Sequence, residues 1–440
     1  MAALAVVPII GVTAANPARR RHMKKLVLKH LSARYARLAA TAAITLATAG
    51  AYSNAIAQSP SEYRIGALNP ITGAGGPYGA GMFAGIKLAI EDVNRHGGAG
   101  GRTLKLFAED SQTKADAAVL AAKKLIEVNK VDAIAGMWAS SVTLAVMPIA
   151  SAANIIQMHS SGAPEIMRAN KAGLAWGFQS PNTVFGWTFA QTALKYGFKR
   201  AATLSYNNAS ALGQAEYFKN AWEKAGNKLV AEVVYEPNQT SYRTELQRVL
   251  STKPDVIVLA SYTPDATIIL REWYQSGQDA KFIMPGWSAS PDLIKALGPT
   301  VTNGILSVQN VPASGSAYDR FNEAYKKANK GVEPHIYSAE VYDEIISLAL
   351  AIEAAGPGAS NKEINAAIKQ VTNAPGVKVS TFEEGAKLLR EGKKINYEGV
   401  SSSVEMSDEG FTVPDFGVYE IENGQLVRKD TIHYQNTSGS

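Results

Sequence analysis

Small polar residues follow two apolar segments that are predicted to be consecutive strands. Ser140 and Ser141 open a predicted helix shortly after the strand at 132–135. Ser161 and Gly162 lie at the corresponding end of the next strand. Hydroxyl groups, free backbone N–H groups and the positive end of a helix dipole together suit a carboxylate. Helix capping alone would explain one serine, but two such loops at neighbouring strand ends favour a ligand site.

Aromatic side chains occur at the same kind of position. Tyr78, Trp138, Tyr262 and Trp287 each fall in a loop that follows a predicted strand. A single tryptophan could equally belong to a core, whereas four aromatic residues at corresponding strand ends suggest an apolar cleft for a small ligand. The sequence therefore predicts a pocket that combines hydroxyl groups with aromatic rings.

Residues that could catalyse a reaction or hold a metal are scarce. The chain contains no cysteine, which excludes thiolate chemistry and thiolate metal ligands. The histidines after residue 57 are His96, His159, His335 and His433, and none lies in a metal-binding pair motif. We expect His159 at the edge of the cleft or on the surface. We predict no catalytic residue, no metal and no cofactor, and therefore a protein that is not an enzyme.

One pattern points to a different class of protein. Residues 79–84 fit G-x-G-x-x-A, the signature of a dinucleotide-binding turn, which would suit an NAD-dependent α/β enzyme. Such a turn follows its strand directly, whereas Pro70 and Pro77 stand between the strand and the pattern here. The enzyme is therefore kept only as an alternative.

Short apolar runs alternate with longer stretches of helical periodicity after residue 62. The runs predict strands over 63–68, 104–108, 132–135, 155–158, 175–179, 201–206, 229–235, 256–260, 282–285 and 305–308. This alternation is typical of α/β folds with mainly parallel sheets, and two successive series imply two domains. Two later helices, over 318–329 and 338–355, come without new strands, so they must pack on a sheet already formed.

The positive charge of the chain is confined to its first segment. The 440 residues carry 44 Lys and Arg against 38 Asp and Glu, a formal charge of +6. Residues 1–57 hold eight of the cations and no acidic residue, which leaves 36 basic against 38 acidic residues, or −2, on the rest. A basic region, a short apolar run and Ala55-Ile56-Ala57 describe a signal peptide, with Met23 as an alternative start. We expect a periplasmic protein without affinity for nucleic acid.

A series of modest motifs runs in order between about residues 62 and 418. They are Tyr63-Arg64-Ile65-Gly66, Thr72-Gly73, Gly81-x-x-x-Gly85-x-x-x-Ala89-Ile90, Asn94-x-x-Gly97-Gly98-x-x-Gly101-Arg102, Asp110, Gly136 with Ser140-Ser141, Pro164-Glu165 and Asp415-Phe416-Gly417-Val418. None suffices alone, but in this order they make the chain resemble the branched-chain amino-acid binding proteins of ABC importers.

This resemblance implies the type I periplasmic-binding-protein fold, an α/β architecture of two Rossmann-like lobes joined by a three-stranded hinge. Lobe one would span residues 58–181 and 311–407, lobe two 182–310 and 408–435, and 436–440 would form a disordered tail. The likeness further implies a receptor that binds a small solute between its lobes and delivers it to an inner-membrane ABC permease. We expect a monomer whose affinity is coupled to lobe closure. A sensory receptor that acts without a permease is an alternative.

The resemblance also assigns roles within the cleft. Tyr78 would cover the ligand side chain, and Tyr262 would close the cleft from lobe two. Ser140 would bind the α-carboxylate, with Ser141 beside it. Ser161 would offer its backbone carbonyl to the α-ammonium.

The family pattern is broken at three positions. The threonine that also holds the carboxylate is Gly162 here, a lobe-two tyrosine is Leu212, and the glutamate that pairs with the ammonium is Gly286. An ammonium group buried without a counter-charge is costly. Trp287 could supply a cation–π contact instead, and Asp265 could supply a new charge.

Two ligand classes therefore stay open. An amino acid of the branched-chain or hydrophobic type is the first choice because of the family. An aromatic or aliphatic carboxylate, or an amide, would lack the ammonium group. It would suit the serines together with an apolar pocket that includes Trp138, Leu212 and Trp287.

Overall fold

The computed structural model describes residues 61–311, 315–412 and 414–434, apart from the side chain of Ile336. The predicted signal peptide and tail lie outside these residues. The described chain forms two large sheets with helices packed on them, as the α/β prediction requires. We call the five-stranded sheet and its helices lobe one, and the seven-stranded sheet and its helices lobe two. None of the helices in these residues combines the length and the hydropathy of a membrane span.

The elements are numbered along the chain. The strands are β1 (Ser61–Asn69), β2 (Arg102–Asp110), β3 (Ala133–Met137), β4 (Ile156–His159), β5 (Ala175–Gly177), β6 (Ala201–Tyr206), β7 (Ala231–Tyr235), β8 (Val256–Ala260), β9 (Lys281–Pro285), β10 (Leu306–Asn310), β11 (Val377–Val379), β12 (Ile395–Tyr397), β13 (Phe416–Glu422) and β14 (Gln425–Ile432). The helices are α1 (Gly76–Arg95), α2 (Ala115–Lys123, extended by a π-helical turn over Lys124–Val128), α3 (Ser140–Ala152), α4 (Pro164–Ala169), α5 (Asn182–Lys195), α6 (Ala209–Lys224), α7 (Arg243–Leu250), α8 (Thr263–Ser276), α9 (Pro291–Leu297), α10 (Pro299–Thr302), α11 (Ser316–Ala328), α12 (Ile336–Ala355), α13 (Asn361–Thr372) and α14 (Phe382–Arg390).

The sheet of lobe one is parallel throughout, in the order β2-β1-β3-β4-β5. Every residue of β3 is buried, because helices cover both faces of the sheet. The carboxyl ends of parallel strands share one edge. The loops that follow β3 and β4 at this edge carry the predicted serines.

The sheet of lobe two has the order β14-β13-β10-β9-β8-β6-β7. Strands β6 to β10 are parallel, and β13 and β14 add an antiparallel hairpin at one edge. The hairpin turns at Asn423 and Gly424, whose φ values are 51° and 77°. Asn-Gly is the pair that this left-handed turn favours, so the local sequence specifies the connection.

The chain passes between the two sheets three times in the described residues: after β5, after β10 and after β12. Elements α11 to α14 return to lobe one, where α12 packs on α1 and on the strands β3 and β4. This confirms that the late helices use a sheet already formed. The expectation of no new strands there was wrong, because β11 and β12 pair as a small parallel sheet. Strands of three residues show too little alternation to be recognised from sequence.

Helix α12 begins at a capped N-terminus that positions the residues after it. His335 Nδ1 accepts a hydrogen bond from Tyr337 N–H at 3.3 Å, and Ser338 Oγ accepts one from His335 N–H at 3.1 Å. This reciprocal pairing satisfies two N–H groups that the helix itself leaves free. It also holds Tyr337 at the place where the lobes meet.

Candidate ligand-binding cleft

The four aromatic residues predicted to line a cleft lie together between the lobes. Tyr78 and Trp138 from lobe one, and Tyr262 and Trp287 from lobe two, are all buried. The ring centroids of Tyr78 and Trp138 are 4.9 Å apart, as are those of Trp138 and Tyr262. Tyr337 completes the group, 5.7 Å from Trp138 and 6.4 Å from Trp287. We call these five residues the aromatic cluster.

A hydrogen-bonded bridge joins the lobes inside the aromatic cluster. The Tyr78 hydroxyl donates to the backbone oxygen of Trp287 and lies 2.9 Å from Thr263 Oγ1. Thr263 Oγ1 donates to the same carbonyl, also at 2.9 Å. Burial raises the pKa of Tyr78, so this hydroxyl keeps its proton. The structure therefore has the lobes closed on each other at this point.

The predicted carboxylate site lies at the start of α3. The bonds within α3 begin at Val142 N–H, so the N–H groups of Ser140 and Ser141 precede them. Ser140 is buried, and its Oγ accepts a hydrogen bond from Ala163 N–H at 3.2 Å. The hydroxyl proton of Ser140 remains for another acceptor. Two N–H groups, one hydroxyl and a helix N-terminus together suit an anion.

Ser161 and Gly162 form the neighbouring wall. Ser161 Oγ lies 2.7 Å from Thr143 Oγ1 and donates to the Trp138 carbonyl at 2.9 Å, so its side chain already has protein partners. Its N–H donates to His159 Nδ1 at 3.3 Å, so only its backbone carbonyl remains for a ligand. A Cβ on Gly162 would lie 2.8 Å from Ser180 O. A threonine at this position would therefore displace the wall, which explains the glycine.

The other departures from the family pattern lie in lobe two. Leu212 is on α6, is 36% exposed and stands outside the aromatic cluster. A Cβ on Gly286 would lie 2.3 Å from Gln309 Oε1, so the glutamine fills the space beside it. Asp265, the other candidate for a replacement charge, is buried on α8, and burial raises the pKa of its carboxyl group, which disfavours the charged form.

A cavity of ≈ 270 Å³ adjoins Gly286 and lies between the lobes. Residues of both lobes line it, among them Gly286, Ser290, Gln309, Asn310, His335 and Glu340. The ring centroid of His335 is 4.7 Å from that of Tyr78, so the cavity borders the aromatic cluster. Burial lowers the pKa of His335 to about 4, and its ring is therefore neutral at pH 7.

Sequence reasoning missed three acidic residues of α12. Glu340, Asp343 and Glu344 are all buried. Glu344 accepts hydrogen bonds from Gly136 N–H at 2.8 Å and from Ser160 Oγ at 2.9 Å, at the ends of β3 and β4. A signal was present, because acids spaced three and four apart share one face of an otherwise apolar helix.

The prediction for His159 was wrong. His159 ends β4 and is fully buried, with its ring centroid 5.4 Å from that of Phe411. Burial lowers the pKa of His159 to about 3, which keeps the ring neutral. The strand is covered on both faces, so its last residue also lies inside the lobe.

The dinucleotide pattern lies within α1 and forms no turn ahead of a helix. A Cβ on Gly79 would lie 2.1 Å from Pro70 O, so this glycine allows the helix to pack on the preceding loop. The pattern thus gives no support to an NAD-dependent enzyme. Among the residues that the structure describes, no group of three or more His, Asp or Glu side chains is placed to hold a metal.

Two α/β lobes joined by three chain crossings, with aromatic and polar residues buried between them, define a two-lobed solute-binding protein of type I architecture. The chain belongs to the periplasmic binding protein family, whose model, described as "Periplasmic binding protein", matches residues 62–390. This confirms the family resemblance of the sequence.

Individual proteins agree with this assignment. An amino acid binding protein of Pseudomonas aeruginosa is 25% identical over 304 residues, which cover 66% of this chain and 78% of that protein. The leucine binding protein LivK of Thermotoga maritima has a TM-score of 0.73 at 23% identity, covering 84% of this chain and 98% of that one. An ABC transporter solute binding protein of R. palustris, solved with benzoate, has a TM-score of 0.71 at 20% identity, covering 84% and 96%. The two solved structures share the fold.

Proposed function

We propose that this chain is the periplasmic substrate-binding component of an ABC importer. It binds a small carboxylate-bearing solute between its lobes, and an amino acid of the branched-chain or hydrophobic type is the first choice. Family membership and the amino acid binding relative support this ligand class. The protein acts by binding and release, as a monomer, and catalyses no reaction.

One observation carries the proposal: the N-terminus of α3 lies beside the aromatic cluster. Trp138 belongs to the cluster and precedes Ser140 by two residues, so the anion-binding groups adjoin the rings. The carboxylate is held by the N–H groups of Ser140 and Ser141 and by the Ser140 hydroxyl. The apolar part of the ligand packs against Tyr78 and Tyr262.

Closure of the lobes completes the site. The Tyr78 bridge to Trp287 and Thr263 forms only when the lobes approach, so ligand binding and closure favour each other. The closed form is the one presented to an inner-membrane permease. We place the lobe boundaries at 58–181 with 311–407 and at 182–310 with 408–435, with the signal peptide over residues 1–57.

An ammonium-free ligand is the second candidate. Gly286 provides no carboxylate where the family has one, and one structural relative was solved with benzoate. An aromatic or aliphatic carboxylate, or an amide, would use the same serine site.

A thermal-shift screen of amino acids, aromatic acids, aliphatic acids and amides tests the proposal. A ligand that binds only the folded protein raises its Tm by mass action, by several degrees at saturation. Arginine-rich peptides and nucleotides serve as controls that should leave the Tm unchanged. The proposal fails if no carboxylate raises the Tm.

A further inference from the structure

Two buried acceptor atoms line the cavity between the lobes. Glu340 is 3% exposed and Asn310 is 6% exposed. Within the described chain, neither Glu340 Oε2 nor Asn310 Oδ1 has a hydrogen-bond partner. Both residues line the cavity of ≈ 270 Å³, Glu340 from lobe one and Asn310 from lobe two. Since buried polar atoms are nearly always paired, these two oxygens indicate a ligand that donates hydrogen bonds.

The charge around Glu340 indicates that this donor is a cation. The described lining of the cavity includes neither lysine nor arginine. Burial raises the pKa of Glu340 well above its ordinary value, against the opposing effect of the nearby Ser160 side chain, and the nearby Glu344 raises it further. A cation in the cavity would favour the ionised carboxylate and offset both effects.

The packing beside Gly286 explains why the acidic residue at this cavity, Glu340, is supplied by α12. Gln309 fills the space beside Gly286, where a Cβ would lie 2.3 Å from its Oε1. Glu340 reaches the same cavity from the opposite lobe. It lies one helical turn after Tyr337, which belongs to the aromatic cluster. The acid therefore stands next to the place where the rest of the ligand is expected.

We propose that Glu340 and Asn310 bind an ammonium group of the ligand, in place of the family glutamate that Gly286 lacks. This inference rests on the proposed function. Of the two ligand classes named there, it favours carboxylates that also carry an amine, such as amino acids. Two of the three ammonium N–H groups donate to Glu340 Oε2 and Asn310 Oδ1. Because Glu340 and Ser140 both belong to lobe one, that lobe holds both charged ends of the ligand before closure.

Matched ligand pairs test the inference on the unaltered protein. Leucine, valine and phenylalanine are each compared by calorimetry with their amine-free counterparts isocaproate, isovalerate and hydrocinnamate. We expect the amino acid of at least one pair to bind more tightly than its counterpart by at least about thirtyfold. If the amine-free acid binds as tightly as the amino acid, or more tightly, in every pair for which binding is detected, the inference is overturned. The proposed function would remain intact. Binding of neither member of any pair would count against both.

Variants then assign the effect to the two residues. Glu340→Gln keeps the shape of the side chain and should weaken amino-acid binding by at least about thirtyfold, while any binding of the amine-free acid is retained. Asn310→Ala should weaken amino-acid binding by about fivefold to tenfold. Glu353→Gln is the matched control, because Glu353 lies on the same helix away from the cavity and pairs with Gly100 N–H and Arg390, and this variant should bind as the wild type does.

A purely structural role for Glu340 would give a different result. A structural carboxylate lowers the Tm of the unliganded protein when it is replaced by Gln. A carboxylate kept for a ligand raises the Tm or leaves it unchanged when replaced, because its burial without a partner is unfavourable. A lowered Tm for Glu340→Gln together with unchanged amino-acid affinity would overturn the inference.

Discussion

Helix α12 carries two buried carboxylates one turn apart, in opposite situations. Asp343 Oδ1 accepts hydrogen bonds from the Tyr397 hydroxyl at 2.6 Å and from Val400 N–H at 2.9 Å, and its Oδ2 accepts from the N–H and hydroxyl of Ser401. Glu340 has an oxygen without a partner at the cavity between the lobes. The two residues show two uses of a buried carboxyl group. Full pairing holds the fold together, whereas an unpaired oxygen at a cavity serves recognition.

We expect the greatest loss of stability when Asp343 is replaced. Asp343→Ala removes the acceptor of four donors and should lower the free energy of unfolding by about 4 kcal/mol. Urea unfolding measures it, with Glu216→Ala, an exposed acid on α6, as the control. A loss below about 1 kcal/mol would show that the pairing of Asp343 contributes little.

Glu344 is a third buried acid on α12, and although it is partnered its pKa is raised further than that of Asp343. Burial raises its pKa from the ordinary 4.5 to about 8. Between these values the folded protein keeps the proton and the unfolded chain releases it. The free energy of unfolding should therefore fall as the pH rises from about 5 to 8, by up to about 1.4 kcal/mol per pH unit from this group.

Glu344→Gln removes this titration and keeps an acceptor for Gly136 N–H. The free energy of unfolding of this variant should therefore fall less steeply with rising pH than that of the wild type. Urea unfolding at several pH values measures both slopes, and Glu216→Gln is the matched control. Equal slopes for wild type and Glu344→Gln would contradict the burial effect.

We expect a smaller effect, on ligand affinity, from the Tyr78 hydroxyl, which joins the two lobes by hydrogen bonds. Tyr78→Phe keeps the ring in the aromatic cluster and removes the hydroxyl bridge, so ligand affinity should fall about fivefold, or by about 1 kcal/mol. Tyr63→Phe is the control, because that hydroxyl donates to Asn361 within lobe one at 3.0 Å. Equal affinities for the two variants would mean that the bridge does not contribute to closure.

The parallel strands of the two large sheets were predicted well, because strands buried on both faces appear as apolar runs. The hairpin strands β13 and β14 were not predicted, and β14 is largely exposed and shows no apolar run. The predicted strands 201–206 and 256–260 coincide with β6 and β8. The aromatic residues were predictable too, because the loops after parallel strands meet at the sheet edges. Tyr78, Trp138, Tyr262 and Trp287 lie together for this reason.

The cavity could not be predicted in the same way. Glu340 lies on a helix that returns to lobe one, and Asn310 ends a strand of lobe two. No local pattern brings two such residues together, since their proximity depends on the packing of the two lobes. The glycine at position 286 indicated from the sequence that the family glutamate is missing. Only the packing reveals that Gln309 fills the space beside this glycine.

In the proposed function, the cleft binds a small carboxylate through the start of α3. Calorimetric titration of the wild type and of Ser140→Ala with the best ligand of the thermal-shift screen tests it most directly. We predict one ligand bound per wild-type chain, and an affinity lower by at least about tenfold in Ser140→Ala, because the variant loses the hydroxyl donor. Unchanged affinity in Ser140→Ala would show that the start of α3 does not hold the carboxylate.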